Sequence, residues 1–228
     1  QMCIRDSSFS VSETTEGVHI HIIDAELMGK GEKEKKDLYI EGVQNNGIIN
    51  HYEYIINSEG TIEIRHVLKP EGKMPLWFPR IGLTLTVSDA LDQVKWYGRG
   101  PQENYPDRKT GYPMGIYAST VQAMYEPYLM PQDYGLRTDV RWLQLTTDKG
   151  IGLQFKMNEW FNFNIYPYST DNLTKAMYTY QLQKQKGMTL NLDYATTGVG
   201  CTARGVFGAY KAMPQEYRRT ISIRPMMK

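Results

Sequence analysis

The stretch 45–68, NNGIINHYEYIINSEGTIEIRHVL, decides the fold class. Its two segments Ile48–Ile56 and Thr61–Leu68 are rich in β-branched and aromatic residues, which favour strands. Asn45–Gly47 and Asn57–Gly60 precede these segments with residue types that tolerate positive φ and therefore form tight turns. The stretch predicts a meander of antiparallel strands.

Strand patterning extends on both sides of this stretch. Val18, Ile20 and Ile22 fall on one face of an extended segment and His19 and His21 on the other, which predicts a half-buried strand. The charged run Glu32–Lys36 predicts a solvated connection, and the next strand is predicted after it. The further predicted strands are Leu38–Val43, Trp142–Thr146, Gly152–Met157, Trp160–Ile165, Met188–Tyr194 and Thr220–Ile223.

Two other features interrupt the strand pattern. Ser169 and Thr170 precede apolar residues at helical spacing between Leu173 and Tyr180, which predicts one or two helical turns with a Ser or Thr cap. Proline has no backbone N–H group to donate a hydrogen bond to a neighbouring strand, so we expect the middle of the chain to be rich in loops. These prolines are Pro75, Pro79, Pro101, Pro106, Pro113, Pro127 and Pro131.

Composition bounds the class of protein. A chain of 228 residues with 41% hydrophobic content suits one all-β domain. Its net charge of +1 provides no field that would gather nucleic acid or anionic lipid. No apolar run approaches the ~20 residues that span a bilayer, so we expect a soluble module. Cys3 and Cys201 show no CxxC spacing, and a disulfide between them stays open.

The first residues look unlike the rest. Gln1–Ser7 has no initiator methionine, basic region or apolar region of a secretory signal. We therefore interpret residues 1–7 as a non-native or truncation scar, and residues 8–228 as one domain. Either a cytoplasmic or a periplasmic location fits this sequence.

The densest polar stretch is Trp96–Arg108, WYGRGPQENYPDR. It reads as a strand end, with turns at Gly98 and Gly100. Amide, carboxylate and guanidinium groups hydrogen-bond the hydroxyls of a neutral sugar, but they also satisfy the backbone groups of a buried loop. Sugar binding and support of the loop are therefore both open for four side chains within six positions, Glu103, Asn104, Asp107 and Arg108.

Carboxylate pairs are the obvious candidates for catalysis. A retaining glycosidase needs two carboxyl groups about 5 to 5.5 Å apart. Glu103 with Asp107, or Glu126 with Asp133, could be proposed, but no spacing shows that either pair converges. Loops of this kind usually pair their carboxylates with arginines, so we predict no catalytic residue in this chain.

Four histidines, His19, His21, His51 and His66, lie on predicted strands. His19 and His21 could share a face and meet a third ligand, which is the minimum for a zinc site. No Cys or further His lies at a telling spacing, so ordinary sheet histidines are favoured and no metal site is predicted. Phosphate loops and serine nucleophile elbows are also missing from the sequence.

The run Trp96–Arg108 closely resembles the signature of the C-terminal domain of family 2 β-galactosidases, called the small chain when it is encoded separately. The resemblance extends over Ser8–Arg224. Ordered blocks that agree with it are Leu76–Gly82 with its Pro79-Arg80-Ile81-Gly82 core, Tyr125–Tyr128, Pro131–Gln132, Gly135–Arg137, Asp139–Trp142, Phe161–Asn164, Tyr168–Ser169, Asp193 and Gly198–Gly200.

The resemblance implies a large antiparallel β-sandwich, the supersandwich related to galactose mutarotase, with its first strands truncated. It implies a module that packs beside a (β/α)8 barrel and other domains and lends a loop to the galactoside site. Both catalytic glutamates for retaining hydrolysis of terminal β-D-galactosides would lie in that barrel, so the chain alone should be inactive. No cofactor is expected here, because Mg and Na of the family bind outside this module. Oligomer formation stays open.

Six side chains become candidates for contact with the β-galactoside: Glu103, Asn104, Asp107, Arg108, Arg137 and Arg204. The chain departs from the family after Gly198–Gly200, where some members carry a tryptophan that stacks on substrate. Here Cys201–Gly205 has no aromatic residue, and the next is Phe207. Tyr178 also stands where relatives often have His. The alternatives are a free-standing carbohydrate-binding or mutarotase-like module, and a module that mainly supplies an assembly interface.

Overall fold

The computed structural model describes residues 3–27, 47–200 and 205–227. The chain divides into two compact units, the first formed by Gln1–Phe78 with Met213–Ile223 and the second by Pro79–Ala212 with Arg224–Lys228. Several predicted features lie outside the described residues, namely the connection Glu32–Lys36, the strand Leu38–Val43, and the residues Cys201 and Arg204.

The first unit is an antiparallel meander in the order β1-β2-β3-β4-β11. Each of the first three strands pairs with the next along the chain, and Tyr217–Ile223 of the last strand pairs with β4. The strands are β1 Cys3–Thr14, β2 Gly17–Leu27, β3 Gly47–Ile56, β4 Ile62–Glu71 and β11 Tyr217–Met226. The predicted meander is therefore confirmed.

The turn between β3 and β4 forms where the sequence predicts it. The Asn57 side-chain oxygen accepts hydrogen bonds from the backbone N–H groups of Glu59 (3.1 Å) and Thr61 (2.9 Å). Gly60 adopts a φ of 75°, a conformation that L-residues with a side chain rarely adopt. This turn fixes the register, in which Ile56 pairs with Ile62.

Alternation along β4 buries one face of the strand. Ile64, His66 and Leu68 are buried, whereas Arg65 between them is exposed. The Nε2 atom of His66 lies 3.0 Å from the side-chain oxygen of Asn50, so this buried imidazole has a hydrogen-bond partner. Burial, followed by the charge of His51, lowers the pKa of His66 to about 4.

The second unit is a six-stranded antiparallel sheet in the order β7-β6-β8-β9-β10-β5. Its strands are β5 Arg80–Val87, β6 Gln93–Arg99, β7 Met114–Thr120, β8 Arg137–Thr146, β9 Gly152–Tyr166 and β10 Met188–Thr196. The remaining elements are the helix α1 Thr170–Lys175 and two 3-10 turns, Thr179–Gln181 and Gly208–Tyr210.

Aromatic side chains form much of the core of this sheet. Trp96 and Phe163 are completely buried and meet edge to face, with ring centroids 5.9 Å apart. The indole N–H of Trp96 donates to the carbonyl of Arg99 at 3.0 Å. Fully burying an apolar side chain of this kind contributes about 1.5–3 kcal/mol. Trp96 therefore anchors the strand that leads into the Trp96–Arg108 stretch.

The structure also corrects some sequence predictions. Gly98 was predicted to form a turn but lies inside β6, and β7 runs through the middle that was predicted to be rich in loops. The two strands predicted within Gly152–Tyr166 form the single strand β9, because no Gly or Pro interrupts them. Strand β1 begins at Cys3, inside the segment that the sequence interpretation set aside.

The predicted helical turn and the predicted fold class are confirmed. Ser169 caps α1, and its side chain accepts a hydrogen bond from the N–H of Asn172 at 3.1 Å. All pairings described within the two units are antiparallel, as expected for the predicted antiparallel all-β fold. Within the described ranges, no helix has the length and apolar character needed to cross a membrane. The division into residues 1–7 and a domain 8–228 stays a prediction.

Candidate functional site

Three loops of the second unit carry the candidate site. Residues 100–113 connect β6 to β7, residues 121–136 connect β7 to β8, and residues 197–200 follow β10. We call these residues, with Arg137 at the start of β8, the loop cluster. Because β6 and β8 are neighbours in the sheet, the ends of the first two loops lie side by side.

Two glycines allow the chain to enter this cluster. A Cβ atom on Gly98 would lie 2.8 Å from Cγ2 of Val140, closer than carbon atoms pack. On Gly100 it would lie 2.8 Å from the ring of Tyr117 and 3.0 Å from that of Trp96. Both glycines therefore serve close packing, although Gly100 also leads into the bend at Pro101–Gln102.

Glu103 accepts hydrogen bonds from both of the first two loops. Its side chain is buried, and Oε1 accepts hydrogen bonds from the Arg108 guanidinium and the Tyr128 hydroxyl. The other oxygen, Oε2, accepts the N–H of Gly135 at 2.8 Å. Burial, followed by the hydrogen bond to Glu103, raises the pKa of Tyr128 to about 12, so this phenol stays a donor. Glu103 thereby joins residues 100–113 to residues 121–136.

Asn104 makes a second connection between the same loops. It is completely buried, and its backbone N–H donates to the carbonyl of Leu136 at 2.8 Å. Its side-chain amide donates to the Gln102 carbonyl at 3.0 Å, and its side-chain oxygen accepts from both the N–H and the hydroxyl of Thr138. The polar atoms of Asn104 are thus used inside the protein.

Arg137 spans the base of the cluster. Its guanidinium donates to the carbonyls of Gly135 (2.8 Å) and Pro101 (3.0 Å) and lies 5.5 Å from the centroid of the Trp96 ring. The side chain is buried, and burial lowers the pKa of Arg137 to about 10. Arg137 remains a cation at neutral pH and holds two loops through their carbonyl groups.

Asp107 reaches the third loop. Its carboxylate accepts the N–H groups of Val199 (3.1 Å) and Gly200 (2.7 Å). A Cβ atom on Gly198 would lie 2.3 Å from the Asp107 carboxyl carbon, so a side chain at this position would displace the carboxylate. Charge-assisted bonds to consecutive N–H groups are strong and directional. Asp107 therefore fixes the segment that leads into residues 201–204.

Arg99, Lys109 and Asp139 form a charged triad that holds the first loop against β6 and β8. The Asp139 carboxylate accepts Arg99 Nε at 2.6 Å and the Lys109 ammonium at 2.8 Å. Arg99 also donates to the Tyr112 carbonyl at 2.9 Å. Burial alone would raise the pKa of Asp139, but the hydrogen bonds and charges of Lys109 and Arg99 lower it by more. The pKa of Asp139 therefore lies below its usual value. Asp139 holds a φ of 55°, which Asp tolerates better than most residues.

The Pro79–Gly82 block packs against β10. Arg80 lies 3.2 Å from both Asp133 and the fully buried Asp193. Asp133 also accepts hydrogen bonds from the Asn164 amide (2.9 Å) and the Tyr166 hydroxyl (3.1 Å). This network ties the second loop to strands β5 and β9.

The structure brings together five of the six predicted site residues, and Arg204 lies outside the described residues. Glu103, Asn104 and Arg137 are buried, and Asp107 is half-buried. Arg108 is the most accessible, with 43% of its side chain exposed. Contact of these residues with a sugar stays a prediction. Sequence reasoning missed the supporting roles of Tyr128, Thr138, Arg99, Lys109 and Asp139, whose partners lie far away along the chain.

The second unit also exposes apolar surface. Leu129 and Met130 are 96% and 55% exposed in the loop that Tyr128 anchors. Across the face of β6, β8 and β9, Arg141 lies 3.5 Å from the centroid of the 59% exposed Trp160 ring, and Tyr97 lies 6.5 Å from Trp142. Exposed apolar patches of this kind are typical of interaction surfaces.

One further concave feature lies beside the helix. A cavity of about 220 Å³ is lined by Tyr125, Tyr134 and Tyr168, with Leu182 and Lys184 at its side. Tyr125 and Tyr134 meet edge to face at 5.3 Å, so they form a packed wall. The cavity is smaller than the sites that usually hold small ligands.

Comparison with known proteins defines the family. The model of the family described as "Beta galactosidase small chain" matches residues 8–223. The chain belongs to the β-galactosidase small chain family.

Curated relatives agree with this family. A β-galactosidase of Priestia megaterium is 38% identical over 147 residues, 64% of this chain and 14% of that protein. A β-galactosidase of Vibrio cholerae is 39% identical over 122 residues, 54% of this chain and 11% of that protein. The matches thus span only about a seventh or less of the relatives' length.

A solved structure was also compared with the fold. The GalM/aldose epimerase homologue from C. elegans aligns over 96% of this chain and 68% of its own, with a TM-score of 0.43 and 11% identity. A score this low supports no further conclusion.

Proposed function

We propose that the chain is a non-catalytic module of a glycoside hydrolase family 2 β-galactosidase. In this proposal it packs beside a barrel that carries the catalytic glutamates, and it shapes the site for retaining hydrolysis of terminal β-D-galactosides. The loop cluster is the part that would face this site. Family membership supports the β-galactosidase part of the proposal.

The observation that carries the non-catalytic role is the use of the carboxylates. Both oxygens of Glu103 and both of Asp107 accept hydrogen bonds from within the chain, and so do both of Asp133. A catalytic pair must instead direct its oxygens at the bond that is cut. These residues therefore suit the positioning of loops.

Glu126 is the carboxyl group that most needs a test. Burial, followed by the negative charge of Glu103, raises its pKa above the usual value, and catalytic acids often show such a shift. If the module is non-catalytic, Glu126→Gln should leave the kcat of the enzyme reconstituted from this chain and a complementing β-galactosidase polypeptide within about twofold. Loss of a general acid would instead lower that kcat roughly 100-fold or more.

The exposed apolar surface supports a packing role. Leu129 and Met130 project from a loop that Glu103 holds through Tyr128, so their position is fixed before any partner binds. Preorganisation of this kind reduces the entropy lost on association. The aromatic face around Trp160 offers a second contact area for the rest of the parent enzyme.

A complementation assay tests the proposal. The purified chain is assayed with a chromogenic β-galactoside, alone and after mixing with a family 2 β-galactosidase polypeptide that lacks its own small-chain region. We expect no turnover by the chain alone and restored turnover after mixing. Turnover by the chain alone would contradict the non-catalytic role.

Asp107 provides a sharper test of site shaping. Asp107→Ala should release residues 198–200, and the restored activity should fall at least about tenfold, mainly through KM if the loop contacts substrate. Asp171→Ala is the control, because Asp171 forms an exposed ion pair with Lys175 on α1. Equal activity of the two variants would argue against a role for this loop.

The alternative of a mutarotase-like module has less support. Mutarotation needs a general acid and base, commonly His with a carboxylate, and the loop cluster contains no histidine. A polarimetric assay with α-D-galactose decides the point, since the proposal expects the uncatalysed rate.

A further inference from the structure

Two histidines and a glutamate meet on the face of the meander opposite His66. In the pairing of β2 with β3, His21 lies directly across from Glu53. His19 lies two residues from His21 along β2, on the same face of the sheet. One ligand atom from each of the three side chains lies within 4.8 Å of the others. The sequence placed His19 and His21 on one face but did not identify Glu53 as the third ligand.

The distances within this cluster suit a shared metal ion better than direct hydrogen bonds. Oε1 of Glu53 lies 3.5 Å from Nδ1 of His19 and 3.9 Å from Nε2 of His21. Hydrogen bonds between such atoms are usually about 2.7–3.2 Å long. Ligand atoms bound tetrahedrally to Zn²⁺ at about 2.0–2.1 Å lie roughly 3.4 Å apart. Small rotations of the side chains would therefore close the site around an ion.

The surroundings prepare Glu53 and His19 for this role. Arg65 lies 3.1 Å from Oε2 of Glu53, which leaves Oε1 directed at both imidazoles. The other nitrogen of His19, Nε2, is buried and has no hydrogen-bond partner among the described residues. Nδ1 is therefore the nitrogen of His19 that can bind an ion.

We propose that His19, His21 and Glu53 form a binding site for a divalent transition metal ion of the Zn²⁺ class. Two imidazoles with one carboxylate favour zinc, nickel or copper over magnesium or calcium, which prefer oxygen ligands. The third ligand comes from the neighbouring strand, so the ion bridges β2 and β3. Solvent completes the coordination, because 52% of the His21 side chain is exposed. This site is independent of galactoside hydrolysis.

Calorimetric titration with ZnCl₂ tests the proposal. The tag-free chain, first treated with EDTA and then freed of the chelator, should bind one Zn²⁺ ion. His21→Ala and Glu53→Gln should each weaken binding at least about tenfold, since even changes to supporting residues around a metal cost 10- to 100-fold. Zn²⁺ should also raise the thermal midpoint of the wild-type chain but not that of these variants.

The controls separate this site from adventitious binding. His51 lies two residues from Glu53 on the same strand face, but it is not one of the three side chains whose ligand atoms converge, so His51→Ala should retain wild-type affinity within about twofold. Titrations with Cys3 and Cys201 replaced by serine remove the thiol ligands. Circular dichroism without metal checks that each variant is folded, and the exposed position of His21 makes His21→Ala the variant least prone to misfold.

Spectroscopy gives a second measurement. Co²⁺ bound to a four-coordinate site absorbs visible light far more strongly than hydrated Co²⁺, so wild type should show this band and His21→Ala should not. The proposal is overturned if wild type binds no Zn²⁺, or if His51→Ala and His21→Ala lose the same affinity.

Discussion

The meander and the loop cluster are held together by different forces. In the meander, alternation buries Ile64 and Leu68, and the buried polar pair His66 and Asn50 is neutral. In the loop cluster, the buried groups include the charged side chains of Glu103 and Arg137. Burial of apolar area is non-directional, whereas charge-assisted hydrogen bonds require particular partners. The meander should therefore tolerate substitutions that the loop cluster does not.

Removal of the Glu103 carboxylate should have the largest effect. Glu103→Ala leaves the Arg108 guanidinium, the Tyr128 hydroxyl and the Gly135 N–H without their buried acceptor. Arg108 is partly exposed and can be solvated, but a buried donor left without an acceptor costs about 1–3 kcal/mol. With two such donors, the free energy of unfolding measured in urea should fall by roughly 2–6 kcal/mol.

Glu63→Ala in the meander is the matched control. Glu63 also pairs with an arginine, Arg65, but both side chains are substantially exposed. Exposed pairs contribute about 0–1 kcal/mol, so this variant should be nearly as stable as wild type. Similar losses in the two variants would show that the loop cluster does not depend on its buried charges.

His66 should make the meander sensitive to mild acid. Its pKa is lowered to about 4 in the folded chain, against about 6.5 in the unfolded chain. Between these values the unfolded chain binds a proton that the folded chain does not, so stability falls as the pH drops from about 6.5 to about 4. The full loss is roughly 3 kcal/mol, measurable by urea unfolding at several pH values.

The variant His66→Gln should remove this pH dependence, whereas His21→Gln, studied in EDTA, should keep it because His21 is exposed. An NMR titration in which His66 takes up a proton near pH 6.5 would contradict the prediction.

Asp139 should make the loop cluster sensitive only to stronger acid. Lys109 and Arg99 lower its pKa below the usual value despite burial, so its contribution is complete above about pH 4 and is lost as the pH falls through the lowered pKa. Asp139→Asn keeps a residue that tolerates the φ of 55°. The variant should be less stable than wild type at pH 7, and the difference should disappear in strong acid. A constant difference at every pH would show that charge is not the cause.

The same contrast explains what the sequence could predict. The turn at Asn57 and the cap at Ser169 depend on partners within four residues, and both were predicted. Glu103, by contrast, has two of its three partners, Tyr128 and Gly135, 25 and 32 residues away, and no periodicity shows such contacts. Gly98 was misread as a turn residue because the need for glycine comes from Val140 on a neighbouring strand. Glu53 could be recognised beside His21 only once the register of β2 and β3 was known.

The smallest effect concerns the packing of the meander. Ile64 is buried, and Ile64→Val deletes one methylene group, which should lower the free energy of unfolding by about 0.5–1.5 kcal/mol. Ile62→Val at the half-buried start of the same strand should cost less than about 0.5 kcal/mol. Urea unfolding of both variants measures the difference. A loss for Ile64→Val as large as that for Glu103→Ala would mean that the meander, too, depends on exact complementarity, and the contrast between the two regions would fail.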